Sequence, residues 1–360
     1  MSTTGTTPRT RAKRDPYLDN ARGLLIALVV VGHTIESFEN TEEALGGTLY
    51  MALYSFHMAA FIMISGFLSR SYRNEPRQVR RLLTAMVVPY VIFQMVHETL
   101  KALMLGRDLE MQLILPAWTL WFLVALLGWR LLSPLLRQLR YPLVFAVAIS
   151  VIMPLDPDIG SDLSVGRMAQ MLPFFVLGLV ATPETLERIR AFRHRWLGGL
   201  VLLGVVAVAA LLHEDVPASI FFLRSGYEDE RSILLSMVLQ LMVLAAGVIG
   251  GLAVLLVTPR GRSPLTALGQ RSLTVYLLHS VALLPIRYAE DLPDRLMSWW
   301  GSLGMVVFGV LLAALLGSRV VGRLTGWLTD PPIGHLLVRS EEESSPKPRP
   351  AGAADERPRS

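Results

Sequence analysis

The sequence predicts an all-α fold, a polytopic transmembrane helical bundle of about ten helices. Composition is the first reason: 52% of the 360 residues are hydrophobic and only 18% charged, with a mean hydropathy of +0.47, too apolar for an ordinary soluble globule. Recurrence is the second. Apolar runs near the roughly 20 residues needed to cross ~30 Å of hydrocarbon repeat along the whole chain, separated by short charged or Pro/Gly-rich stretches. The third is the alternation of charge between successive loops.

Residues 1–18 are polar, rich in Thr and Arg, and lack the apolar core of a signal peptide, which predicts a cytoplasmic arm. Helices are expected at about 19–38, 49–68, 82–104, 118–136, 141–154, 168–181, 196–212, 232–256, 271–287 and 301–320. The fifth and sixth are short, which suits broken or tilted helices, and Pro173 and Pro285 mark kinks. Together they form one transmembrane domain, 19–322. The tail, 323–360, contains Glu341, Glu342 and Glu343 followed by Ser, Pro, Lys and Arg, and cannot bury enough apolar surface to fold for most of its length.

Ten crossings from an inner N-terminus predict that alternate segments collect Lys and Arg. Segments 1–22, 69–81, 129–141, 182–196, 257–271 and 318–360 hold 27 of the 34 basic residues, leaving 7 for the outer side. The outer loops are acidic instead, as at Glu39, Glu42 and Glu43 or Glu228, Asp229 and Glu230. This pattern predicts a multi-pass inner-membrane protein with both termini cytoplasmic, and membrane lipids as its surroundings. The absence of cysteine excludes disulfides, thiolate metal sites and a Cys nucleophile, and no metal centre is expected. The basic residues are scattered among short loops without an aromatic platform, which argues against nucleic acid.

The first helix carries the chemistry. Arg22 and His33 are eleven positions apart, almost three turns, so both project from one face about 16 Å apart. Glu36 lies one turn beyond His33, near enough to accept a hydrogen bond from one imidazole nitrogen and leave the other as a base. An ionisable group three turns into a membrane helix faces the bundle or a wet cavity, because lipid exposure is costly. Arg22 alone reads first as a positive-inside anchor.

Here the chain resembles a family. Asp19-Asn20-Ala21-Arg22-Gly23 to Gly32-His33 is similar to the first-helix signature of the membrane-bound acyltransferase-3 family, an Arg, ten residues and a His, and is closest to the fucose 4-O-acetylase-like branch. Phe56-His57-Met58, with Ser65-Gly66-Phe67 closing helix two, resembles the family's Phe-His-Met-Pro and Ser-Gly-Phe, although Ala59 replaces the usual Pro. Trp118-Thr119-Leu120-Trp121-Phe122-Leu123 resembles the Trp-Phe-Leu opening of helix four, and Ser272 to Tyr276 and His279 resemble the late Ser-x-x-x-Tyr-x-x-His segment. The resemblance spans roughly 15–320. It implies an integral membrane O-acyltransferase that moves an acyl group, in the first instance acetyl from acetyl-CoA, to a hydroxyl of a sugar or glycan-like acceptor.

On that reading His33 and Glu36 are the catalytic pair. Acyl transfer from a thioester to an alcohol needs a base for the hydroxyl proton and a place for the CoA phosphates. Arg22, helped by Arg70 and Arg73 of the neighbouring loop and by Arg77, Arg80 and Arg81, suits phosphate, although the cluster suits anionic lipid as well. Asp19, His57, Ser65, Trp121, Tyr276 and His279 are candidates for orienting substrate or base, although Ser65 reads first as helix-packing glue, and Trp121 and Tyr276 first as packing or interface anchors. Two rival classes remain. A solute or lipid-linked sugar transporter fits the size, but the sequence offers no mid-membrane acid cluster or matched broken helices. His33, His57 and His279 as haem ligands would need a His repeat that is absent.

Overall fold

Apolar runs interrupted by Pro, Gly and charge give helices of uneven length, and the computed structural model shows where each breaks. It describes residues 15–36, 44–156, 162–224, 226–227, 232–289 and 298–329, and every regular element among them is helical. The order is α1 (Pro16–Thr34), α2 (Ala44–Tyr54), α3 (His57–Leu68), α4 (Pro76–Leu82), a π turn (Leu83–Val87) leading into α5 (Val88–Leu105), α6 (Trp121–Leu136), α7 (Pro142–Ile152), α8 (Val165–Gln170), α9 (Leu172–Val180), α10 (Pro183–Ala191), α11 (Trp196–Leu212), α12 (Ile233–Val257), α13 (Pro264–Gln270), α14 (Ser272–Arg287), α15 (Trp299–Leu316), α16 (Arg319–Leu324) and α17 (Gly326–Thr329).

These helices group into the ten expected apolar units. Four of the units, 45–68, 76–105, 233–257 and 299–316, are long and apolar enough to cross a membrane alone. Two bent pairs, α8 with α9 at 60° and α10 with α11 at 89°, raise that number to six. The sixth unit is broken at Met171, and Pro173 sits in the first turn of α9, where its missing N–H costs nothing. Pro285 lies inside α14. The outward faces are unsuited to water: Leu211 is 78% exposed, Leu234 71% and Leu311 63%, as lipid-facing side chains should be.

Two close approaches set the bundle's frame. A Cβ on Gly178 would stand 1.9 Å from the Met63 carbonyl oxygen, and one on Gly66 would stand 2.0 Å from that of Phe175, so α3 and α9 touch backbone to backbone. The same reciprocity joins Gly23 of α1 to Gly269 of α13. Helix ends are closed by long cations. Arg195 donates to the carbonyls of Leu256, Val257 and Thr258 at the end of α12, and Arg271 to that of Gly317 at the end of α15.

Three features depart from the expected boundaries. Segment 257–271, expected as a plain inner loop, contains α13, which packs along α1. Helical order continues through α16 and α17 to Thr329, past the expected domain end at 322. The second unit starts at Ala44 and breaks before His57 rather than running straight over 49–68. The arm before residue 15, the tail after 329 and the acidic residues Glu39, Glu42 and Glu43 and Glu228, Asp229 and Glu230 lie outside the described residues.

Candidate active site

The site is built from the two ends of α1, which is held rigidly. Asn20 donates to the carbonyls of Pro259 and Gly261 at 2.8 and 2.6 Å, while its Oδ1 accepts from Ser263 and Thr266. A fully satisfied buried amide of this kind fixes register. Asp19 accepts from Gln270 at 3.0 Å and forms an ion pair with Arg22, so the Asp19 carboxylate aims the guanidinium.

At the other end of α1, Nδ1 of His33 lies 3.0 Å from Oε2 of Glu36 and 3.3 Å from the Tyr54 hydroxyl. Nε2 makes no hydrogen bond among the described residues. Glu36 is itself secured from two further sides: Trp118 Nε1 donates to Oε2 at 3.1 Å, and Arg287 pairs with Oε1 while stacking 4.6 Å from the Trp118 ring centroid. Trp118 adopts φ of 34°, a left-handed conformation unusual outside glycine. The carboxylate is therefore a junction between α1, α14 and the loop before α6.

His33 lines a narrow pocket of about 20 Å³ with Met58, Phe61, Thr119, Trp121 and Tyr276. A much larger cavity of about 690 Å³ opens beyond it toward Arg22, with Ser65, Arg81, Arg130 and Gln270 on its walls. Phe61, Phe122 and Tyr276 line both. The Tyr276 hydroxyl is spent on the Thr119 carbonyl, leaving its ring as the partition, whereas Thr119 Oγ1 is buried without a partner. The three-turn separation of Arg22 and His33 is thus the length of a two-part, arginine-mouthed channel.

The remaining predicted residues divide. His279 is fully buried, its ring centroid 5.4 Å from that of His33, with Nδ1 donating to the Val275 carbonyl and Nε2 buried without a partner. His57 stands one step further off: its Nδ1 donates to Leu53 at 2.6 Å, and its ring packs edge-on against Tyr54 at 4.8 Å. Ser65 lines the large cavity but donates to Phe61 at 2.9 Å. Arg70 does not line that cavity: it stacks 3.6 Å over Phe67 and donates to the carbonyls of Phe67 and Ala181. Arg73 is exposed outside the cavity wall as well. The cations at the mouth are instead Arg22, Arg81, Arg130 and Arg271.

Sequence reasoning missed Tyr54, Arg130 and Arg287, and the buried pair in which His97 donates to Ser280 at 2.9 Å. Arg130 was hidden because it falls in segment 129–141, where orientation already calls for cations, and Arg287 because it ends α14, where a cation is ordinary. Tyr54 is an aromatic among aromatics and carried no signal. Among the described residues no three His, Asp or Glu side chains are grouped to hold a metal ion.

The chain is similar to known proteins. Two relatives are the "Nodulation protein NolL" of Sinorhizobium fredii (strain NBRC 101917 / NGR234), 27% identical over 221 residues, and that of Mesorhizobium japonicum (strain LMG 29417 / CECT 9101 / MAFF 303099), 25% identical over 224 residues. The matches cover 56% and 58% of this chain and 57% and 58% of the relatives, so the chain spans less than three-fifths of the length of the curated relatives it matches. No solved structure matches. The family model for the acyltransferase domain of the acyltransferase-3 type matches residues 15–318, which contain both ends of α1 and the late Tyr276 and His279, and the chain belongs to that family.

Proposed function

We propose that this protein transfers a short acyl group, in the first instance acetyl, from acyl-CoA to a hydroxyl of a sugar or glycan-like acceptor. The observation that carries the proposal is the state of His33: Glu36 holds one imidazole nitrogen, and the other is left for the pocket that abuts the arginine-mouthed cavity. The donor's phosphates lie at Arg22, Arg81 and Arg130, and its thioester reaches past Tyr276 toward His33. A pocket this narrow favours acetyl over longer chains. The acceptor oxygen attacks the thioester carbonyl as Nε2 takes its proton, the C–S bond breaks, and the imidazolium returns the proton to the departing thiolate. Thr119 donates to the carbonyl oxygen as negative charge builds there. The products are an O-acyl ester and free CoA.

The donor enters from the cytoplasm in this scheme, with both termini on that side of the inner membrane and residues 19–322 as the membrane unit. The division of basic residues supports that orientation. His33→Gln tests the chemistry. Base catalysis contributes about 10²- to 10⁴-fold, so transfer of radiolabelled acetyl from acetyl-CoA to glycan in membranes should fall more than tenfold at equal expression. Near wild-type transfer by that variant would end the proposal.

A further inference from the structure

The seven basic residues outside the inner segments include Arg167, Arg224 and Arg287, and all three lie around the His33 end of the channel. Orientation rules do not call for cations there, so each needs another reason. Arg287 has one, its pair with Glu36. Arg167 and Arg224 do not, since neither forms an ion pair or hydrogen bond among the described residues.

Arg167, on α8, stacks its guanidinium 4.3 Å from the centroid of the Trp121 ring, the same indole that lines the His33 pocket. Its Nε is fully buried without a partner. Arg224 stacks 5.0 Å from the Phe222 centroid, Phe222 lies 5.2 Å from Tyr54, and Tyr54 reaches His33. Tyr54 and Tyr276 are within electrostatic reach of Arg167, and so is Arg224, whose like charge repels it. Each guanidinium therefore rests on an aromatic face, and among the described residues no carboxylate neutralises either. A cation–π contact offsets part of the cost of burying one such charge, not all of it. Leu163 and Ser164, immediately before α8, have φ of 47° and 55°, and Leu223, beside Arg224, has φ of 49°. Non-glycine residues rarely hold such angles, and each costs roughly 1–3 kcal/mol.

We infer that Arg167 and Arg224 form an anion subsite for the acceptor, which carries a carboxylate or phosphate on or beside the sugar ring bearing the acylated hydroxyl. Guanidinium reads either group through paired charge-assisted hydrogen bonds. The inference rests on the proposed transfer reaction for what the site is for, but its binding chemistry is tested apart from turnover.

The purified full chain is titrated calorimetrically with glucose, glucuronate, glucose 6-phosphate and inorganic phosphate. Glucuronate or glucose 6-phosphate should bind at least tenfold more tightly than glucose, about 1.4 kcal/mol, and the better of the two names the anion. Arg167→Gln should remove that preference, Arg167→Lys should keep part of it, and His33→Gln should keep all of it. Arg224→Gln, at an exposed position, should weaken it several-fold. Equal binding of charged and neutral sugars, an unchanged preference in both Gln variants, or inorganic phosphate binding as tightly as the sugars would overturn the subsite. Normal acetyl transfer by His33→Gln with the binding preference intact would overturn the catalytic reading and leave the subsite standing.

Discussion

Glu36→Gln isolates the electrostatic part of the proposed mechanism, because it keeps the shape of the side chain and removes its charge. The carboxylate faces the imidazole at 3.0 Å, and at an effective dielectric of about 20 a unit charge at that distance contributes roughly 5 kcal/mol to an imidazolium. The net effect is smaller. Arg287 neutralises the other carboxylate oxygen, and a quarter of the Glu36 side chain is open to solvent. A loss of about 1.5–3 kcal/mol, the worth of one charge-assisted hydrogen bond, is the expected result, or roughly 10- to 150-fold in kcat. The donor's KM should hardly move, since Arg22, Arg81 and Arg130 stand at the far end of the cavity. Steady-state kinetics with acetyl-CoA, at matched amounts of folded protein, give both numbers. Unchanged kcat would show that Glu36 only tethers Trp118 and Arg287, and a rise in donor KM without loss of kcat would refute the separation of the channel into two functional ends.

Three other outcomes follow from particular contacts. Arg22→Lys keeps the charge but loses the planar fork that Asp19 aims, so donor affinity should fall several-fold with little change in kcat, measured by the acetyl-CoA dependence of transfer; an unchanged dependence would reduce Arg22 to an anchor. Gly178→Ala places a methyl group against the Met63 carbonyl and should destabilise the protein by about 1–3 kcal/mol in detergent unfolding, whereas Gly204→Ala, with open space around it, should be close to neutral. The chain has no native cysteine, so single cysteines at Glu43 and Asp229 should react with a membrane-impermeant maleimide in intact cells and one at exposed Glu75 should not; labelling at Glu75 would invert the topology.

The ten units were legible because a membrane demands a run of apolar residues, and such runs can be read without knowing what packs against them. Their breaks were less legible. The turn at Met171 is bracketed by a proline, which the sequence shows, but the interruption before His57 lies inside Tyr54-Ser55-Phe56, where nothing breaks a helix locally and tertiary contacts decide. Helix α13 could have been found. Ser263 and Thr266 cap its first turn reciprocally, with Pro264 at the first helical position, and that spacing is a start signal that the count of basic residues overshadowed.

The site was legible where it follows one helix and obscure where it needs several. Arg22, His33 and Glu36 share a face by periodicity alone, so their relation follows from 3.6 residues per turn. A run of cations does not share a face. Along 70–81 the arginines point around the helix and its preceding turns, so Arg81 reaches the cavity while Arg70 is consumed by backbone carbonyls and Arg73 stays outside. Arg130 completes the mouth from a different helix, a proximity that no local pattern encodes. The same reasoning gives the exceptions to the charge rule their value. A cation on the side where orientation asks for one carries little information, but Arg167, Arg224 and Arg287 stand where it asks for none, and Arg287 alone among them has a carboxylate among the described residues. Of the cations that the rule leaves over, Lys101 pairs with Glu98 and Arg287 with Glu36, and Arg167 and Arg224 are the ones that the proposed acceptor subsite would explain.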